Sequence, residues 1–134
     1  MTDEEVKKEI ESILNSMVKA FATKDVELYM SLYDSNPDLV IYGSQSGEKW
    51  TVLKDFKEAV VHNWHMVKEV DVKYTYQRIE VHSSGDVAWF ATELSFNMEM
   101  NGQQISIPGR LTGVLTKKDD IWKFKQTHYS MEHH

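Results

Sequence analysis

The residues best suited to chemistry lie near the end of the chain. From Trp122 onward, Lys123, Lys125 and Thr127 alternate with Trp122, Phe124, Gln126 and His128. In a strand, alternate side chains face opposite sides. Lysines belong in solvent, so this phase predicts that Gln126 and His128 point inward. An inward imidazole titrates near neutral pH and can act as acid, base or hydrogen-bond donor; it can equally be a structural histidine bonded to a carbonyl. Arg110 lies in the segment expected to pair with this one. A buried guanidinium needs an anion, which Glu93 or a ligand carboxylate would supply; placement at the surface beside Pro108 and Gly109 is the alternative. If Arg110 and His128 share an interior, a small acidic or carbonyl-bearing ligand fits them. Trp64, Tyr33 and Tyr42 are the expected aromatic wall, since aromatics with polar tips suit a pocket rim as well as a core. The candidate ligand-binding set is therefore Arg110, His128, Trp64, Tyr33, Tyr42 and Gln126, with His128 the candidate catalytic group.

Other chemistries find little support. Glu58, His62 and His65 share one helical face, and two imidazoles with a carboxylate can bind zinc. They lie opposite the apolar stripe, beside Lys54 and Lys57, which reads as a solvated face. No metal and no cofactor are expected. The chain has no cysteine, so thiol nucleophiles and thiolate metal sites are excluded. No nucleophile elbow, phosphate loop or dinucleotide fingerprint occurs among its 6 glycines. With 15 basic against 21 acidic residues the net charge is -6, which disfavours nucleic acid as a partner. Lys117, Lys118, Lys123 and Lys125 read as solvation of one hairpin. No apolar run approaches the roughly 18 residues of a membrane span, and the start Met1-Thr2-Asp3-Glu4-Glu5 is acidic where a signal peptide is basic. A cytoplasmic protein without membrane contact is the expectation.

These side chains need a scaffold, and 134 residues suffice for one domain. Val6, Ile10, Ile13, Leu14, Met17, Val18 and Phe21 recur at helical spacing, with Thr2 and Glu5 as a capping box. Asp25 can cap a second helix that buries Leu28, Tyr29, Leu32 and Tyr33. Asn36-Pro37-Asp38 breaks it, Leu39–Tyr42 reads as a strand, and Gly43 to Lys49 as a loop. A third helix is expected from Thr51 to Val67, burying Leu53, Phe56, Val60, Trp64 and Val67. Four long strands follow, Asp71–His82, Val87–Asn101, Gln103–Lys117 and Trp122–Met131, joined by turn chemistry that includes Asn101-Gly102. Such long antiparallel strands coil, so the sheet should be strongly curved. The expected fold is α+β: three N-terminal helices covering the concave side of a cone-shaped, mostly antiparallel sheet with an internal cavity. One domain spans residues 1–131, and His133-His134 resembles a tag remnant. In Val87–Asn101 the alternation places Phe90, Leu94, Phe96, Met98 and Met100 inside and Trp89 outside. Trp89, Ala91, Thr127 and Tyr129 together would form an interface patch.

Three segments resemble the SnoaL-like branch of the nuclear transport factor 2-like superfamily: Phe21–Tyr33, Ser84–Phe90 and Gly109–Ser130. The resemblance implies a six-stranded curved sheet with three helices, and a homodimer through the outer sheet face. The superfamily hosts isomerases, cyclases, hydratases and transport adaptors, so it implies no single activity. Ketosteroid isomerase chemistry would need a carboxylate just after Ile41 and a tyrosine near position 17. No Asp or Glu occurs between Asp38 and Glu48, and Met17 stands at the second position. A small-molecule pocket is thus the leading expectation. The alternative is a non-catalytic dimerisation or assembly module, resembling the association domain of calcium/calmodulin-dependent kinase II.

Overall fold

The computed structural model describes residues 2–35 and 38–131. The expected break at Asn36-Pro37 and the terminal histidines lie outside those residues. Among the described residues, no helix is long and apolar enough to cross a membrane.

Three helices precede most of the sheet. α1 (Asp3–Thr23) starts where expected: the Thr2 hydroxyl accepts from the Glu5 N–H at 3.2 Å. It ends where Lys24 turns left-handed (φ 53°) and returns its N–H to Ala20 and Phe21. Asp25 then caps α2 (Val26–Ser31), its carboxylate accepting from the Leu28 N–H at 3.0 Å. α3 (Leu53–His65) lacks a side-chain cap and is shorter at both ends than its apolar periodicity predicts.

The strands are β1 (Val40–Tyr42), β2 (Lys49–Trp50), β3 (Val70–Val81), β4 (Val87–Met100), β5 (Gln103–Lys118) and β6 (Ile121–Met131). They form one six-stranded sheet in the order β2-β1-β6-β5-β4-β3. Among the described residues, β1 and β6 run parallel and the other neighbouring strands antiparallel. The two-residue β2 falls at the end of the expected loop, just before the expected third helix, because so short a strand carries no periodicity. Asn101 and Gly102 both take positive φ (53° and 79°), the type I′ geometry that makes Asn-Gly a tight hairpin. Asp119 and Asp120 do the same between β5 and β6.

The sheet curls around the helices without closing. α1 lies along β3 and buries Val6, Ile10, Leu14 and Met17 against it. Ala88, Phe90, Leu115 and Phe124 complete the tightest part of the core. The fold is the α+β cone expected.

Two irregularities matter. The β3–β4 register slips between Tyr74 and Tyr76. The β5–β6 register slips too: Val114 faces Gln126 while Leu115 faces Phe124, which leaves Lys125 as a bulge. Lys125 bonds Asp34 and Asp38 at 3.3 and 2.6 Å, holding the α2–β1 connection against β6. Exposed Asp38 has its carboxyl lowered, first by the Lys125 hydrogen bond.

Candidate functional site

The bulge at Lys125 decides what faces the cone. Before it, Trp122 and Phe124 point inward; after it, the phase flips and Thr127, Tyr129 and Met131 do. His128 and Gln126 therefore turn outward and are exposed. This corrects the inward placement that strict alternation predicts for both. The Tyr42 ring lies beside the His128 ring on that outer face, with centroids 5.4 Å apart. Arg110 is exposed there as well, across from Glu93 on β4 and Ser130 on β6. Arg110 and His128 do share a face of the sheet, but it is the outer one.

The interior is a cavity of ≈ 460 Å³ at the wide end of the cone, within the usual range for small-molecule sites. The helices contribute Met17, Phe21, Tyr29, Val60 and Trp64 to its wall. The far halves of the long strands contribute Phe96, Met98, Met100, Ile107 and Leu111. Trp64 and Tyr33 line it as expected, and Tyr42 reaches its rim with the segment from Gly43 to Glu48. Aromatic contacts stiffen one wall. Trp64 stacks on Tyr29 (5.7 Å, 15° between planes), and Phe21 meets Trp64 at 5.3 Å and Phe96 at 5.4 Å. Between the rings the lining is softer, because five methionines also line the cavity: Met17, Met66, Met98, Met100 and Met131.

Polar groups are few and deep. Tyr29 and Tyr33 sit one helical turn apart, so their side chains fall on one face. Their hydroxyls are 3.4 Å apart, and the Tyr33 hydroxyl lies 3.2 Å from Thr127 Oγ1. Thr127 is 1% exposed. Burial pushes the Tyr29 and Tyr33 phenols up from their ordinary range and the Tyr129 phenol up to about 12. All three stay neutral near pH 7. No Arg, Lys or His lines the cavity among the described residues. Its one carboxylate is Glu48 at the mouth, where Oε1 accepts from the Gln45 N–H at 2.8 Å.

Sequence reasoning missed Thr127, Tyr129 and the methionines as lining groups. Tyr29 was legible as part of a buried stripe, but nothing local reveals that its hydroxyl joins one on the last strand. The expected interface patch also changes membership. Trp89 is 46% exposed beside Ala91 as predicted, but Thr127 and Tyr129 lie inside. Their places on the outer face are taken by Tyr76, 47% exposed, and Tyr42, 39% exposed. Glu58, His62 and His65 are exposed, and among the described residues no group of three or more acidic, histidine or cysteine side chains is placed to hold a metal.

Solved structures of similar shape share the fold at low identity. A proposed dehydratase of the nuclear transport factor 2-like family from Streptomyces avermitilis superposes with a TM-score of 0.85 at 14% identity, covering 98% of this chain and 99% of that one. A nuclear transport factor 2-like superfamily protein from Salmonella enterica serovar Typhimurium gives 0.85 at 20% identity, covering 98% and 94%. A proposed calcium/calmodulin-dependent protein kinase II association domain from Xanthomonas campestris gives 0.79 at 22% identity, covering 92% and 86%. No curated protein sequence matches the chain significantly. Across residues 10–133 the sequence fits the model of the SnoaL-like domain, and the chain belongs to that family.

Proposed function

We propose that the protein binds a small, neutral, largely apolar molecule carrying a carbonyl, held inside the cone. The observation that carries this reading is the make-up of the cavity: an aromatic and thioether wall around three buried hydroxyls. The acidic and carbonyl-bearing ligands expected from sequence both rested on Arg110 and His128, and both residues face outward. A carbonyl finds other partners in the cavity, because neutral phenols donate to carbonyl oxygens, whereas an acid finds no cation there among the described residues. Members of this fold are often ligand-binding or enzymatic; the claim for this chain is binding.

A thermal-shift panel of small ketones and matched small carboxylates tests the reading. Ketones should stabilise the protein, by about 2.7 kcal/mol at 100 times the dissociation constant, and carboxylates should not. A panel in which only carboxylates stabilise would contradict it.

A second reading rests on a different observation. Trp89, Tyr76 and Tyr42 are large, exposed and share the outer sheet face with Ala91 and Val114. We propose that a second copy of the chain covers this face, making a homodimer. Sedimentation equilibrium should give a dimer that Trp89→Glu converts to monomer. A monomeric wild type at all concentrations overturns the dimer and leaves the pocket reading intact.

A further inference from the structure

The three buried hydroxyls can be counted proton by proton. Tyr29, Tyr33 and Thr127 carry three O–H protons, and the chain Tyr29–Tyr33–Thr127 contains two contacts. Each contact uses one proton. One proton is therefore left over, at one end of the chain or, where both ends donate to Tyr33, on Tyr33 itself. Among the described residues, no protein acceptor takes it. Tyr29 has Tyr33 as its only hydrogen-bond partner, and Thr127 likewise. Two other shielded hydroxyls do find an acceptor, although the Trp122 indole N–H is buried without one among the described residues. Thr92 donates to the Leu111 carbonyl at 2.8 Å, and the Tyr74 hydroxyl to the Leu14 carbonyl at 3.0 Å. The contacts at 3.2 and 3.4 Å are also long for O–H···O bonds. All three side chains are nearly fully buried and line the cavity. A buried donor without an acceptor weakens the fold rather than supporting it.

We infer that this hydroxyl chain is built toward the ligand and makes the site select molecules that present a bare hydrogen-bond acceptor. The inference rests on the pocket reading above and deepens it, assigning the selection to Tyr29, Tyr33 and Thr127. The ligand class is an uncharged ketone, aldehyde, ester or quinone, bound carbonyl-first against the hydroxyls. Its apolar body extends toward the mouth, where Met66 is 62% exposed. A carboxylate also accepts hydrogen bonds, but its charge would be buried without a cation. Thr127 and Tyr33 thereby become specificity residues contributed by opposite ends of the sequence.

The test uses two probes that differ only in one group, acetophenone and α-methylstyrene, where C=CH2 replaces C=O. Both are titrated into wild type and into Tyr29→Phe/Tyr33→Phe/Thr127→Val. The preference for acetophenone should fall about tenfold in the triple variant. The ligand-free triple variant should be at least as stable as wild type, since it loses an unmet buried donor. A purely structural chain predicts the opposite: lower stability and an unchanged preference. Tyr33→Phe alone splits the chain into two free donors and should keep the preference for the ketone. Binding of both probes with the same ratio in wild type and triple variant overturns the inference but leaves the pocket. A triple variant that fails to fold assigns the hydroxyls to the fold and overturns it as well. Wild type that binds neither probe overturns the pocket reading itself.

Discussion

The narrow and wide ends of the cone share the same strands but are packed in different ways. Along β4, the first half alternates sharply: Ala88, Phe90, Thr92 and Leu94 are buried while Trp89, Ala91 and Glu93 are exposed. From Ser95 to Met100 the contrast disappears and every residue is half-buried. At the narrow end the interior is filled by Ile10, Leu14, Leu115 and Phe124, all fully buried. At the wide end Phe96, Met98 and Met100 face the cavity. Apolar side chains at the wide end are therefore not fully used by the fold. The difference separates residues that hold the protein together from residues free to meet a ligand.

The largest expected effect breaks the narrow end. Phe90→Ala removes a buried ring packed against Phe124 (centroids 5.6 Å apart), and should cost about 3–5 kcal/mol in urea unfolding. Met98→Ala at the wide end should cost about 1 kcal/mol, because its side chain is already half-solvated. Equal costs at the two sites would erase the distinction.

Two glycines of β5 sharpen it. A Cβ on Gly113 would meet the Gln126 carbonyl oxygen and, at 2.7 Å, the Phe90 ring. Backbone cannot yield as a side chain does, so Gly113→Ala should cost about 2–3 kcal/mol and spare ligand affinity. A Cβ on Gly109 would meet the Tyr129 ring at 2.6 Å. That ring can swing into the cavity, so Gly109→Ala should lower ketone affinity several-fold at a cost of about 1 kcal/mol or less. Paired calorimetric titration and unfolding of both variants checks the contrast.

The smallest effect is a pH dependence at one residue of the wide end, Tyr129. In an unfolded chain the Tyr129 phenol titrates near 10; in the fold burial pushes it up to about 12. The fold favours the neutral form, so this stabilisation is complete below pH 10 and is lost as the pH rises from 10 toward 12. After allowance for solvent screening it is on the order of 1 kcal/mol. Tyr129→Phe should flatten that part of the stability profile, as read from urea midpoints at pH 9 and 11.

What could be read from sequence follows the range of the interactions. The Thr2 and Asp25 caps, the Asn101-Gly102 turn and the inward set Phe90, Leu94, Phe96 and Met98 rest on neighbours a few residues apart, and each appears as expected. The exposed Trp89 follows from the same alternation. His128 and Gln126 were misplaced because one bulged residue reverses a strand's phase, and Lys125 looks like any outward lysine. What fixes that bulge is the register with Val114 and the ion pairs to Asp34 and Asp38, none of which leaves a local pattern. The hydroxyl chain is hidden for the same reason, since Tyr33 and Thr127 lie 94 residues apart in sequence. The aromatic wall around Trp64 and Tyr33 was legible from helical spacing; the methionine wall, spread over strands and the α3 exit, was not.

The proposed ligand site lies at the wide end of this SnoaL-like domain. Methionine methyl groups report on it directly, because Met17, Met66, Met98, Met100 and Met131 line the cavity while buried Met30 does not. In an acetophenone titration of methyl-labelled protein followed by NMR, the five lining resonances should shift saturably and Met30 should stay in place. Unmoved methyls, with changes confined to the indole of Trp89 on the outer face, would contradict it.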